Sequence, residues 1–165
     1  MKSIRIAVPL VVLLAATLVA AQSAAQRQFE QLKSLSGTWE GKTPQGEMTQ
    51  VSYKVTGNGS AVMNEIGGHH DDMITMFHMD GPDKLLVTHY CTAGNQPRMK
   101  AAASADVKTI TFDFLDATNL DPKQPGHMHH LVIAFLDENH HTEEWTFAAA
   151  NGGEMKETFD LWRKK

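Results

Sequence analysis

"MITMFHMDGPDKLLVTHY", Met73 to Tyr90, sets two apolar, β-branched stretches on either side of Asp80-Gly81-Pro82-Asp83. Gly81 admits backbone angles that other residues avoid, and Pro82 has no amide to give to a sheet ladder, so the segment reads as a β-hairpin. The same grammar recurs along the chain. Turn signals stand at Pro44-Gln45-Gly46, Gly57-Asn58-Gly59, Gly67 to Asp71, Thr92 to Asn95, Ala105-Asp106, Asp116 to Gly126, Asp137-Glu138-Asn139 and Asn151-Gly152-Gly153. With the first hairpin these are nine turns, which separate ten strands. Alternation is clean in Ile110, Phe112 and Phe114 and again in Leu131, Ile133 and Phe135. Ten hairpin-linked strands leave two open edges unless the sheet closes on itself. The expected fold is therefore all-β, a ten-stranded antiparallel up-and-down barrel, with a two-sheet sandwich as the alternative. Ahead of it, Phe29, Leu32 and Leu35 in "QRQFEQLKSLSG" are three apart and predict a short helix ending near Gly37.

The junction of helix and first strand, "FEQLKSLSGTWEG", resembles the calycin superfamily: lipocalins, fatty-acid-binding proteins and the haem-carrying nitrobindins. In that group a short helix leads into a Gly-x-Trp at the first barrel strand, matched here by Gly37-Thr38-Trp39. Arg163 in the terminal "FDLWRKK" resembles the late arginine that lipocalins stack over this tryptophan. The segments "MITMFHMDG" and "LLVTHYCTAGNQPRM" are similar to secreted lipocalin-like proteins of no settled function. The resemblance implies a barrel open at one end to a small ligand. Haem is a lesser alternative, because the nitrobindin ligand histidine comes near the last strand and "GGEMKETFDLWRKK" holds none.

The first residues are expected to be a secretory signal rather than part of the fold. Lys2 and Arg5 precede the apolar run Ile6 to Val19, and small residues allow cleavage before Gln22, or as late as before Gln26. Residues 26–165 then make one domain, secreted and periplasmic, with no membrane span once the signal is removed. Losing Lys2 and Arg5 takes the formal charge from −4 to −6. No basic or basic–aromatic run is present, which argues against nucleic acid as a partner and favours a small molecule. The single cysteine, Cys91, permits no internal disulfide.

The nine histidines carry the chemical signal. In an up-and-down barrel alternate turns share an end. His69, His70, the strand bearing His89 and Cys91, and the segment "PGHMHHLVIAF" (Pro125 to Phe135) all approach the end with the longest loop. Parity puts His127 and His129 on the face of Leu131, Ile133 and Phe135, pointing inward, with His130 outward. Pairing His78 with Leu85, Met76 with Val87 and Ile74 with His89 places Ile74, Met76, His78, Leu85, Val87, His89 and Cys91 on one interior face. His140 and His141, about 30 Å along the strand from His130 at about 3.3 Å per residue, read as solvent-facing turn residues. Glu143, with Asp71, Asp72, Asp113 and Glu144, reads as solvated.

Two histidines at i and i+2 on one face can turn neutral imidazoles toward a single ion. His127 and His129, with His89 and His69, are thus candidate ligands for a transition metal, zinc or copper. The other candidate is a small apolar or amphipathic ligand in the barrel, held by His89, Cys91, Met76, Phe112, Phe135 and Trp39. The rival from another class is an enzyme using the same pocket, with His89 as general base or a bound metal activating water.

Overall fold

The computed structural model describes residues 21–42, 46–67 and 72–165. They form helix α1 (Ala24–Lys33) and strands β1 (Gly37–Lys42), β2 (Met48–Thr56), β3 (Ala61–Gly67), β4 (Met73–Met79), β5 (Leu85–Tyr90), β6 (Gln96–Ala101), β7 (Thr109–Thr118), β8 (His127–Asp137), β9 (His140–Ala148) and β10 (Glu154–Arg163). Each strand pairs antiparallel with its sequence neighbours, and β1 pairs with β10, so the sheet is a closed barrel with no free edge. The expected ten-stranded barrel is the observed fold, and the sandwich alternative falls.

Helix α1 begins in a reciprocal cap. The Ser23 hydroxyl accepts from the Gln26 amide at 3.1 Å, and the Gln26 side chain accepts from the Ser23 amide at 2.8 Å. Its buried face, Ala25, Gln28, Phe29 and Leu32, packs across the ends of β2, β4 and β5 and closes that end of the barrel. Gln28 Nε2 donates to the Ala102 carbonyl at 3.1 Å, so the polar member of the face is satisfied as well.

The barrel closes where Trp39 lies opposite Arg163 and Gly41 opposite Leu161. A Cβ on Gly41 would come 2.0 Å from the Asp160 carbonyl oxygen, so only glycine lets the two backbones approach there. The Arg163 guanidinium lies 4.2 Å over the Trp39 ring, the stacking that the calycin resemblance implies. It also donates to the carbonyls of Ser36 at 2.8 Å, Ser34 at 3.0 Å and Glu138 at 3.2 Å. One side chain thus ties the helix exit, the β8–β9 turn and the buried tryptophan. Arg163→Ala is expected to lower stability by about 2 kcal/mol, from the lost cation–π contact and charge-assisted hydrogen bonds. An unchanged urea midpoint would show that the clasp is idle.

Three sequence expectations about facing are corrected. In the β4–β5 hairpin the loop is Asp80–Lys84, closed by the Asp80 amide on the Lys84 carbonyl at 2.8 Å. The pairs are Met79 with Leu85, Phe77 with Val87 and Thr75 with His89. The expected pairing was one residue out, and a one-residue slip exchanges the faces. Thr75 and Phe77 are buried in the barrel with Leu85, Val87 and His89, while Met76 and His78 are only half-buried and Ile74 is exposed. In β8 the register shifts between Met128 and His130, leaving His129 as an extra residue of a bulge. Met128 therefore packs against the core, and His127 and His129 do not continue the inward row. In β9 His141 and Glu143 are each 0 % exposed, at the centre of the barrel rather than in solvent. His140 is half-buried, its ring stacked 3.6 Å from Trp162.

Candidate ligand site at the open end of the barrel

Four inward residues on successive strands pair directly: Tyr53 with Asn64, Asn64 with Thr75, and Thr75 with His89. They form a polar rung across β2 to β5. Facing it from β9 is Glu143. Its Oε1 accepts from the Tyr53 hydroxyl at 2.6 Å and from Asn64 Nδ2 at 3.4 Å, and His141 Nε2 lies 3.4 Å away. Its Oε2 accepts from Trp145 Nε1 at 3.0 Å. The chain builds this by alternation alone, since His141, Glu143, Trp145 and Phe147 are every second residue of β9.

Burial pushes the Glu143 carboxyl up. The hydrogen bond and charge of His141, with the Tyr53 and Trp145 donors, outweigh it and hold the group below its ordinary value. Burial and the neighbouring carboxylate keep the Tyr53 phenol protonated, well above its usual range. His89 is lowered to about 4 by burial, with Glu143 pulling the other way, so the ring is neutral near pH 7. Its Nδ1 lies 2.9 Å from the Thr75 hydroxyl, and its ring is 4.8 Å from that of Trp145. Asn64 Oδ1, His89 Nε2 and His141 Nδ1 have no hydrogen-bond partner among the described residues. A buried charge with four donors around it and three idle polar atoms beside it is a costly arrangement, which fixes the interior in one geometry.

Trp145 is the roof of this cluster and the floor of a cavity. At the end of the barrel away from α1, Met128, Trp145, Phe147, Met155, Lys156 and Glu157 enclose about 340 Å³. That is within the range of about 300–1,000 Å³ typical of small-molecule sites, and most of the lining is apolar or aromatic. Phe147 is seated by Gly126, where a Cβ would come 2.7 Å from its Cζ. Asn95 Nδ2 holds the Gly126 carbonyl at 2.8 Å and so joins the β5–β6 turn to the segment before β8. A larger cleft, about 690 Å³, lies at the other end between α1 and the β8–β9 turn. Its wall mixes apolar residues (Leu35, Trp39, Val107, Phe135 and Leu136) with polar ones and is crossed by the Arg163 clasp, so it reads as the seam where the helix seats.

None of the residues expected to hold a ligand lines the mouth cavity. Trp39 is buried at the closed end, with Nε1 donating to the Leu35 carbonyl at 2.7 Å, and Phe135 lines the cleft beside it. Phe112 is fully buried, its ring 5.5 Å from Phe77, as part of a filled core. Met76 lies on the outer face. His89 sits inside beneath Trp145, and Cys91 is half-buried just beyond β5, with no hydrogen bond to His89. The expected metal ligands do not converge either. His127 Nδ1 lies 2.7 Å from the Pro125 carbonyl, and His129 Nε2 is 3.3 Å from Glu154. Their rings are 6.1 Å apart. His69 lies outside the described residues. Among the described residues no three His, Cys, Asp or Glu side chains could hold a metal ion. Met128, Trp145, Phe147, Met155 and Glu157 were missed, although the period-two row from His141 to Phe147 was present in the sequence.

No family model matches the chain, and no curated protein does. Among solved structures the chain is similar to one titled "Crystal Structure of Rv2717c from M. tuberculosis". The TM-score is 0.60 at 12 % identity, over 84 % of this chain and 98 % of that one. At that identity the likeness is one of fold, and it agrees with a calycin-like barrel. No helix among the described residues is long and apolar enough to cross a membrane.

Proposed function

We propose that the protein is a secreted, lipocalin-like binding protein that takes a small apolar or amphipathic ligand at the mouth of its barrel, over the indole of Trp145. The observation that carries this reading is the cavity framed by Met128, Trp145, Phe147 and Met155 at the barrel end not covered by α1. Two flexible thioethers and two aromatic rings give a wall that adapts to apolar shapes. The rigid floor beneath, with Trp145 tied to Glu143, keeps the cavity from collapsing inward. The signal-like N-terminus supports export. The calycin resemblance and the shared fold support a carrier over an enzyme.

The test is titration with N-phenyl-1-naphthylamine, a neutral dye that brightens in apolar surroundings. Saturable binding of one dye per chain is expected. Phe147→Ser, which removes one wall, should weaken it about tenfold, the loss of about 1.4 kcal/mol of apolar contact. Absence of saturable binding, or binding unchanged in Phe147→Ser, contradicts the reading.

A further inference from the structure

We propose that the mouth cavity selects an organic cation, an alkyl or aryl ammonium whose charged nitrogen sits over Trp145 beside Glu157. The inference rests on the mouth being the ligand site and adds the class of ligand.

Glu157 pairs directly across β10 and β9 with Trp145, so its side chain shares the indole's face and lines the cavity. It is half-buried among Met128, Trp145, Phe147 and Met155, and it has no hydrogen bond or ion pair among the described residues. A carboxylate placed against an apolar wall with no partner of its own is short of a cation. Among the described residues, the one cation lining the cavity does not supply it, because Lys156 Nζ is held by Glu144 at 2.9 Å. Glu154, at the start of the same strand, adds a second carboxylate near the rim, beside His129.

The floor is of the same sign. Trp145 Nε1 donates to the buried Glu143 carboxylate at 3.0 Å. Donation to an anion pushes electron density into the indole, which makes the space beside the ring a better seat for a positive charge. Phe147 supplies a second ring, and Met128 and Met155 take the apolar tail. A fatty carboxylate entering the same cavity would meet Glu157 and, behind the indole, Glu143. Both repel it.

The experiment displaces the naphthylamine dye with three probes of equal chain length: octyltrimethylammonium, octanol and octanoate. The ammonium is expected to bind at least tenfold tighter than octanol, and octanoate more weakly than octanol. In Glu157→Gln the ratio of ammonium to octanol affinity should fall about tenfold, and Glu157→Asp should keep most of it. Octanoate binding as well as the ammonium, or a ratio untouched in Glu157→Gln, overturns the proposal while leaving the mouth as a ligand site. Failure of the dye and all three probes to bind overturns the mouth reading itself and this inference with it.

Discussion

Glu143→Ala is expected to destabilise the protein by about 4 kcal/mol, a large part of the 5–15 kcal/mol that typically holds a domain of this kind together. The substitution removes one carboxylate and leaves several groups without their acceptor: the Tyr53 hydroxyl, Asn64 Nδ2, Trp145 Nε1 and the His141 ring. All four residues are buried, so water cannot replace what is lost. Glu143→Gln keeps the volume and one carbonyl oxygen and should cost roughly half as much. Urea denaturation followed by tryptophan fluorescence measures both. A midpoint unchanged in Glu143→Ala would mean that the network carries no stability. The same variant should weaken dye binding, because Trp145 loses the bond that fixes the cavity floor.

Acid should unfold the protein through the same rung. In the unfolded chain His89 takes its proton near its ordinary value of 6.5, whereas burial in the native barrel delays it to about 4. Between those limits the unfolded state binds more protons, so stability is complete above about pH 6.5 and is lost as pH falls toward 4. The interval is worth about 3 kcal/mol at 1.4 kcal/mol per pH unit. Glu143, held below its ordinary value, adds a loss of the same sign at the lower end of this range. Tyr53, Asn64, Thr75, His141 and Trp145 are the other polar groups facing the pair, and Tyr53 stays protonated throughout. Thermal midpoints from pH 8 to 4 should fall steadily below 6.5, and His89→Leu should flatten that slope. A wild-type midpoint constant from pH 7 to 4.5 would contradict the buried neutral imidazole.

Turn residues wrote the barrel into the sequence plainly. Gly57-Asn58-Gly59, Asp80 to Lys84 and Asn151-Gly152-Gly153 adopt conformations that break strands, and once ten strands are counted, closure follows from the cost of open edges. Trp39 and Arg163 were legible for a related reason: they meet at the seam where the first and last strands pair. Which residues face inward was less legible, because a face depends on register to a single residue. The extra residue at His129 reverses the row that Leu131, Ile133 and Phe135 establish. One residue in the β4–β5 loop put Met76 in place of Phe77. Glu143 was hidden by a sound rule, that carboxylates prefer water, which fails where four side chains supply the missing solvation. The mouth lining was hidden for the opposite reason: Met128, Phe147 and Met155 look like ordinary core until the cavity they frame is seen.

The most direct measurement is the indole N–H region of the nitrogen–proton NMR spectrum during titration with N-phenyl-1-naphthylamine, each of the three tryptophan signals being assigned by substitution with phenylalanine. Trp145 forms the floor of the mouth cavity, and Trp39 borders the cleft at the closed end. A ligand seated in the mouth should shift the Trp145 signal saturably and leave Trp39 unmoved. Movement of Trp39 with Trp145 at rest would put the ligand at the wrong end of the barrel and contradict the account.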